Sequence, residues 1–318
     1  MIVGYMKLSV AMITYNHEPF IAQAIQSVLT QKVSFGYEIV IGEDCSADGT
    51  RAIILEFQER YPERIKLLPS DGNIGAMRNF ERTILACRGK YIAFLEGDDY
   101  WTSKEKLQTQ VDFLDAHIDC AVCCHRVKFL NETGLAEADV FPSSPAGSYT
   151  LEDLLKRNFI MTCSTVLRRE LIPPLPEWFC DMKLGDWPVF AFVAKHGKIE
   201  LLDEIMATYR VHAGATWSSL PPITRMGESV RMLRALANHF DSKYAKAIQQ
   251  SIAVLYLDMA NAARFKGNRR EAAKYLLHYA HNGGLQLPFN RFVAGLAGYT
   301  LIGSWYRFFS RAKVVNGR

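Results

Sequence analysis

The sequence predicts an α/β protein with a mostly parallel central sheet flanked by helices and an appended C-terminal helical region. Short apolar runs alternate with amphipathic segments up to residue 95, which is typical of strands and helices in strict succession. Beyond residue 224 only helical spacing remains. We therefore expect an α/β domain at residues 1–224 and a basic helical region at residues 225–318.

The first strand is predicted at residues 8–13, an apolar run without alternation, as expected where both faces of a parallel sheet are covered. Pro19 then suits the first turn of an amphipathic helix that extends to Leu29. Further strands are predicted at residues 38–42, 65–68 and 91–95, with helices after residue 50 and at residues 79–87. In the C-terminal region, helices are predicted at residues 229–240, 244–265 and 271–281.

Composition indicates a globular protein with an uneven charge distribution. The chain has 318 residues, of which 49% are hydrophobic, enough for a sizeable core. Its net charge of +4 conceals a C-terminal part, residues 226–318, with 14 basic and 4 acidic residues. The N-terminus lacks the pattern of a signal peptide, and the seven scattered cysteines fit a reducing compartment, so we expect a cytoplasmic protein.

Three carboxylates follow the strand at residues 91–95: Glu96, Asp98 and Asp99. Like charges this close are tolerated when a cation neutralises them, and hard oxygen ligands suit Mg²⁺ or Mn²⁺. An acidic turn in solvent is the alternative. Because ligands of doubly wound sheets bind beyond the carboxyl ends of the strands, this cluster should lie beside residues 14–16 and 43–46.

Several common nucleotide motifs are absent from the sequence. It has no G-x-G-x-x-G turn after the first strand and no G-x-x-x-x-G-K-[ST] loop, which speaks against dinucleotide redox chemistry and against a P-loop nucleotidase. Phosphates would therefore have to be held mainly by a metal and by side chains. We expect no nucleic-acid partner.

Five segments together resemble the inverting glycosyltransferases of family 2, which have the nucleotide-sugar-binding GT-A fold. The similarity covers roughly residues 7–217. It is carried by Ala11-Met12-Ile13-Thr14-Tyr15-Asn16-His17-Glu18, by Ile41-Gly42-Glu43-Asp44-Cys45-Ser46-Ala47-Asp48-Gly49-Thr50, by Asn73-Ile74-Gly75 with Arg78-Asn79, by Glu96-Gly97-Asp98-Asp99-Tyr100-Trp101 and by Gly185-Asp186-Trp187.

The resemblance implies a donor site for a nucleotide-diphosphate sugar, with UDP-sugars favoured. It assigns base stacking to Tyr15 and a hydrogen bond to the base to Asp44, for which Glu43 is the fallback. Arg78 would face the diphosphate. The remaining donor contacts are assigned to Thr14, Asn16, Glu18, Glu96 and Asp98.

The resemblance also implies a Mn²⁺ or Mg²⁺ site and a catalytic base. Asp98 and Asp99 are the expected metal ligands, joined by His212 of a closing Tyr-Arg-Val-His segment. Glu96 stands where the family's D-x-D motif usually has Asp. Asp186 would accept the proton of the acceptor hydroxyl, and Asp181 is the rival base.

The predicted function is transfer of a sugar to a hydroxyl of a glycan or lipid-linked glycan, in bacterial envelope polysaccharide synthesis. Residues 292–306, uncharged and bracketed by Arg291 and Arg307, suggest peripheral membrane contact at the inner face of the cell membrane, or a helix packed on the domain. Two alternatives remain: a polyprenyl-phosphate sugar synthase, and a catalytically idle glycan-binding or scaffold protein with the same fold.

Overall fold

The computed structural model describes residues 6–131 and 140–284 of the chain. Its strands are β1 (Met6–Thr14), β2 (Gly36–Glu43), β3 (Ile65–Leu68), β4 (Tyr91–Glu96), β5 (Tyr100–Trp101), β6 (Cys120–Asn131), β7 (Val140–Phe141), β8 (Gly147–Tyr149), β9 (Val166–Arg168) and β10 (Lys198–Val211). Its α-helices are α1 (Ile21–Leu29), α2 (Thr50–Arg60), α3 (Ala76–Ala86), α4 (Lys106–Ala116), α5 (Leu151–Lys156), α6 (Asp186–Ala194), α7 (Pro222–Ala237), α8 (Ala245–Phe265) and α9 (Arg269–His281). Short 3₁₀ helices occupy Thr162–Ser164, Arg169–Leu171, Glu177–Asp181 and Ser242–Tyr244.

One mixed sheet has the order β3-β2-β1-β4-β9-β6-β10-β5, with β7 beside β6 and β8 beside β10. The strands β3, β2, β1 and β4 are parallel, and antiparallel pairing begins beyond β4, where β9 inserts between β4 and β6. The predicted α/β class is thus confirmed. The parallel strands β1 to β4 are those that the alternating pattern predicted, and a second parallel pair, β6 with β10, lies beyond that pattern.

The register of the parallel strands brings three chain segments to one edge of the sheet. Thr14 at the end of β1 pairs with Glu43 of β2, and Ile13 pairs with Glu96 of β4. On the other side, β5 pairs antiparallel with Ala207 and Thr208 of β10, so the acidic turn after β4 meets the end of β10. This edge is where the sequence predicts ligands.

The buried face of the sheet explains why these segments fold as they do. The interior of β1 is fully buried, and α1 buries Ile21, Ala24, Ile25 and Val28 completely. Burial of each larger side chain of this set, Ile21, Ile25 and Val28, contributes roughly 1.5–3 kcal/mol to the free energy of folding. The core therefore holds the strand ends in place beneath the loops that carry the polar residues.

The chain forms two compact units. The first contains the described parts of Met1–Leu151 and Phe159–Gly214, and the second those of Glu152–Asn158 and Ala215–Arg318. In the second unit α8 packs against both α7 and α9, and Ser251 of α8 donates a hydrogen bond of 3.1 Å to the carbonyl of Lys156. The domain division at residue 224 stays a prediction.

Among the described residues, no helix has the length and apolar character needed to cross a membrane. The segment 292–306, for which membrane contact is predicted, lies outside the described residues.

Candidate active site

The loops after β1 and β2 are joined by a network of hydrogen bonds. The amide of Asn16 donates to Ser46 Oγ (3.0 Å), and Asn16 Oδ1 accepts from the amide of Ala47 (2.8 Å). Glu18 Oε2 accepts from the amide of Gly49 at 2.8 Å. Asn16 and Glu18 are both predicted to contact the sugar donor. In the structure these side-chain oxygens instead hold the two loops together, and direct contact with the sugar donor stays a prediction.

Tyr15 and Asp44 belong to these two hydrogen-bonded loops, Tyr15 after β1 and Asp44 after β2. The Tyr15 side chain is 43% exposed, so its ring is available for stacking. Asp44 is buried and accepts hydrogen bonds from the amides of Ile74 (2.8 Å) and Gly75 (3.0 Å), which fixes the loop before α3. Glu43 is likewise engaged, by Arg51 and by the amide of Ser46, so the choice between Asp44 and Glu43 as the base contact stays a prediction.

The diphosphate candidate Arg78 lies in the first turn of α3 with its side chain exposed. Its neighbour Arg82, by contrast, donates to the carbonyls of Glu43, Leu68 and Pro69. Arg82 therefore ties α3 to the strand ends, whereas Arg78 is accessible to a ligand.

The acidic turn requires glycine at position 97. A Cβ placed there would lie 2.6 Å from Thr14 Oγ1 and 3.0 Å from His17 Nδ1, closer than real Cβ contacts allow. Both of those atoms are buried and have no hydrogen-bond partner among the described residues. The turn thus packs against two buried polar atoms whose hydrogen-bonding capacity the described residues do not use.

His17, Asp98 and His212 converge beyond this turn. Asp98 Oδ2 lies 2.9 Å from His212 Nε2 and 3.7 Å from His17 Nε2, and one ligand atom from each residue falls within 4.8 Å of the other two. Burial lowers the pKa of His17, although Asp98 opposes the shift, so the imidazole favours the neutral form that binds metals. Although burial raises the pKa of Asp98, the two histidines outweigh it and hold that pKa below its ordinary value.

Asp99 is not one of the three residues that converge. Its carboxylate is buried, and Oδ1 accepts a hydrogen bond of 2.7 Å from the amide of Arg210 on β10. Burial, then Asp98 and Glu96, raise the pKa of Asp99 well above its ordinary value. Its second oxygen, Oδ2, is buried and has no hydrogen-bond partner among the described residues, so the role of Asp99 as a metal ligand stays a prediction.

Glu96, the residue that departs from the D-x-D pattern, ends β4 beside Asp98. Burial raises its pKa to about 8, and the charges of Asp98 and Asp186 add to the rise. Its Oε2 is buried and has no hydrogen-bond partner among the described residues. The raised pKa favours the protonated form of the Glu96 carboxyl group at neutral pH.

Arg210 connects the acidic turn to the end of β10. Its guanidinium donates to the carbonyl of Asp98 and to Gln23 Oε1, and it lies 5.0 Å from the ring centre of Phe20 and 4.5 Å from that of Tyr100. Because Arg210 is two residues from His212, these contacts fix the end of β10 against the acidic turn.

The predicted base Asp186 begins α6. Its Oδ2 accepts a hydrogen bond of 3.0 Å from Thr162 Oγ1, and its Oδ1 accepts one of 2.8 Å from the amide of Trp187. Burial raises the pKa of Asp186, while these two donors oppose the rise. Since its charge acts on Glu96, Asp186 lies at the same sheet edge as the acidic turn, whereas the rival Asp181 is exposed.

The donor set of the cluster fits a divalent metal. Three ligand atoms converge, one of them a carboxylate with a lowered pKa, and unpartnered polar atoms of Thr14 and His17 lie nearby. Of the two ions expected from the sequence, Mn²⁺ accepts imidazole nitrogen more readily than Mg²⁺ does. Two imidazoles therefore favour Mn²⁺.

A family model described as glycosyl transferase family 2 matches residues 9–173 of the chain. The chain belongs to this family. Among the relatives of this glycosyltransferase is an uncharacterised protein of Mycobacterium tuberculosis, 38% identical over 212 residues, which are 67% of the chain and 61% of that protein. Another is the UDP-Glc:α-D-GlcNAc-diphosphoundecaprenol β-1,3-glucosyltransferase WfgD of Escherichia coli, 30% identical over 196 residues, 62% of the chain and 73% of WfgD.

Solved structures agree on the GT-A fold of this family 2 glycosyltransferase. Residues 1–349 of S. aureus TarS in complex with UDP-GlcNAc superpose with a TM-score of 0.60 at 19% identity, over 87% of this chain and 89% of that one. The mannosyltransferase PcManGT from Pyrobaculum calidifontis, in complex with GDP-Man and Mn²⁺, gives 0.60 at 15% identity, over 97% and 85%. At these identities the likeness shows the fold alone.

Sequence reasoning missed two residues of the site. The resemblance assigns no role to His17, although this residue lies within the motif after β1, three residues beyond the strand end. Thr162 lies in a 3₁₀ helix far from every motif, and nothing in the sequence relates it to Asp186.

Proposed function

We propose that this glycosyltransferase is metal-dependent and inverting, and that it moves a sugar from a nucleotide-diphosphate sugar, with UDP favoured, to a hydroxyl of a glycan or lipid-linked glycan. Bacterial envelope polysaccharide synthesis is the proposed setting. The observation that carries the proposal is the convergence of His17, Asp98 and His212 at the same sheet edge as Asp186.

The donor end is assigned to the loops after β1 and β2. Tyr15 offers an exposed ring for the base, and Asp44 holds the neighbouring loop with two backbone hydrogen bonds. Arg78 is the exposed cation nearest to that loop in sequence and suits a diphosphate. WfgD uses UDP-Glc by its name, and TarS was solved with UDP-GlcNAc, which supports UDP here.

The metal ligands are assigned to His17, Asp98 and His212. When bound, Mn²⁺ would neutralise charge on the donor diphosphate. The chain itself prepares this position: burial favours neutral His17, and Arg210 donates hydrogen bonds to the backbone carbonyl of Asp98 and to the side chain of Asp99.

Asp186 is assigned as the general base. Its carboxylate accepts the proton of the acceptor hydroxyl while the hydroxyl oxygen forms a bond to the anomeric carbon. The bond from that carbon to the phosphate oxygen breaks in the same step, the nucleoside diphosphate leaves with the electron pair, and the configuration inverts. Thr162 and the amide of Trp187 orient the carboxylate for this transfer.

Asp186→Asn tests this assignment. Transfer to an acceptor should fall by about 10²–10⁴-fold, whereas binding of the donor with Mn²⁺, measured by calorimetry, should not change. Asp181→Asn is the matched control and should retain transfer. Equal loss in both variants, or full transfer by Asp186→Asn, would place the base elsewhere.

A further inference from the structure

The second unit contains a groove that the glycosyl-transfer site does not use. It has a cavity volume of about 420 Å³, within the roughly 300–1,000 Å³ typical of ligand sites, and is open to solvent. Residues of α7, α8 and α9 line it: Ile223, Gly227, Val230, Arg231, Arg234, Tyr256, Met259, Lys274, Tyr275 and His278. Every one of them belongs to the second unit.

The walls of the groove are cationic. Arg231 and Arg234 are three residues apart on α7 and share a helix face, as do Lys274 and His278, four apart on α9. No carboxylate is among the lining residues. Two carboxylates contact the lining: Glu228 lies 3.6 Å from Arg231 and offsets part of its charge, and Glu271 accepts a hydrogen bond of 2.9 Å from the Tyr275 hydroxyl. Permanently positive side chains therefore line the groove from two helices, Arg231 and Arg234 from α7 and Lys274 from α9.

The floor is aromatic and apolar. Tyr256 of α8 stacks on His278 with ring centres 4.8 Å apart, its hydroxyl accepts a hydrogen bond of 3.2 Å from Arg234, and Met259 lies beside it. Tyrosine faces and hydroxyls suit sugar rings, while guanidinium groups suit phosphate and carboxylate oxygens. The ring of Tyr256 could therefore contact a sugar ring, while Arg231, Arg234 and Lys274 pair with anionic groups on the same glycan.

Gly227 keeps the floor open. Glycine inside a helix costs roughly 1 kcal/mol relative to alanine. The helix does not need it for close packing, since a Cβ at this position would meet nothing nearer than Met259 Cε at 3.8 Å. The empty volume above Gly227 is part of the groove.

We propose that this groove binds an anionic glycan segment, in which sugars or polyols carry phosphate or carboxylate groups, and so anchors the acceptor chain. The identification of that glycan as the acceptor rests on the proposed function, whereas the binding of the anion does not. Fixed cations on both walls, stacked rings on the floor and the open position over Gly227 carry the proposal.

Binding to the full-length protein tests it, with an oligogalacturonate and an oligo(glycerol phosphate) as probes and a malto-oligosaccharide of equal length as the neutral comparison. One or both anionic probes should bind, and the one that binds identifies carboxylate or phosphate as the anion. The triple variant R231Q/R234Q/K274Q should weaken that binding by about tenfold or more. The matched triple variant K246Q/K266Q/R270Q removes the same charge from exposed residues outside the groove and should change affinity by less than about threefold.

Gly227→Trp closes the groove without a change of charge and should also abolish binding, with thermal unfolding used to confirm that each variant folds. Equal weakening by the two triple variants, equal affinity for the neutral glycan, or binding only to phosphatidylglycerol vesicles would overturn the proposal. Release of nucleoside diphosphate from UDP-sugars with Mn²⁺ is measured in parallel. If no protein, including the unmodified chain, released nucleoside diphosphate, the proposed function would be refuted. The glycan-binding measurements would still test the groove independently.

Discussion

At the scale of single residues, the proposed metal site includes an imidazole outside the D-x-D motif. His17 Nε2 lies 3.7 Å from Asp98 Oδ2, and burial keeps its ring neutral. Removal of even an outer-shell partner typically lowers metal affinity 10–100-fold. His17→Ala should therefore weaken Mn²⁺ binding by at least roughly tenfold, as measured by electron paramagnetic resonance titration.

Asp99→Asn is the informative comparison for His17→Ala. Because Asp99 contacts the amide of Arg210 rather than the cluster, its amide variant should retain most of the Mn²⁺ affinity. If Asp99→Asn abolished Mn²⁺ binding and His17→Ala left it intact, the ligand set would be the one that the sequence predicted.

Thr162 should control the pH dependence of transfer. Its hydroxyl donates to Asp186 and thereby lowers the pKa of that carboxyl, against the upward effect of burial. Thr162→Val removes this donor, so the pKa of Asp186 should rise and the acidic limb of the kcat profile should move to higher pH, by up to roughly one unit. Thr162→Ser should restore the profile. An unshifted limb in Thr162→Val would show that Thr162 does not act through the base.

At the scale of elements, α4 begins with a buried lysine. Lys106 is fully buried, its Nζ lies 4.0 Å from the ring centre of Trp101, and that nitrogen has no hydrogen-bond partner among the described residues. Burial lowers the pKa of Lys106 to about 7 from an ordinary 10.5. The unfolded chain therefore binds more protons between these pH values, and the free energy of unfolding should rise with pH across this window.

Lys106→Met should remove that rise. The variant keeps the length of the side chain without the charge, so it should be more stable than the natural chain at pH 7 and below, by on the order of 2 kcal/mol. The gain should shrink towards zero by about pH 10.5, since both states of the natural chain are then neutral at this position. Urea unfolding at several pH values measures it, and a gain that does not depend on pH would contradict the assignment.

The strands were easier to predict than the contacts between them. Residues 65–68 match β3, and β1, β2 and β4 extend one or two residues beyond the predicted runs, because burial on both faces leaves an apolar pattern. The helix predicted at 229–240 instead begins at Pro222, since a proline in the first turn and Gly227 interrupt the apolar spacing.

At the scale of the whole molecule, the candidate site follows from sheet topology that no local pattern records. Asp98, Asp186 and His212 were identified because each lies in a motif, and the structure places them at one sheet edge. The direction of the Asp99 side chain depends instead on the antiparallel pairing of β5 with β10, which involves only two residues of each strand. Sequence patterns this short do not predict such a pairing.

Donor and metal should stabilise the whole fold jointly. A ligand present at 100 times its Kd adds about 2.7 kcal/mol to the free energy of unfolding, which for a chain of this size corresponds to several degrees in Tm. UDP with Mn²⁺ should produce this shift in thermal unfolding, and UDP in the presence of EDTA should produce little. Asp98→Asn should abolish the shift, whereas Asp186→Asn should keep it, because the proposed roles assign the metal to Asp98 and the base to Asp186. A larger shift with GDP than with UDP would contradict the favoured nucleotide, and an equal shift with EDTA would contradict metal dependence.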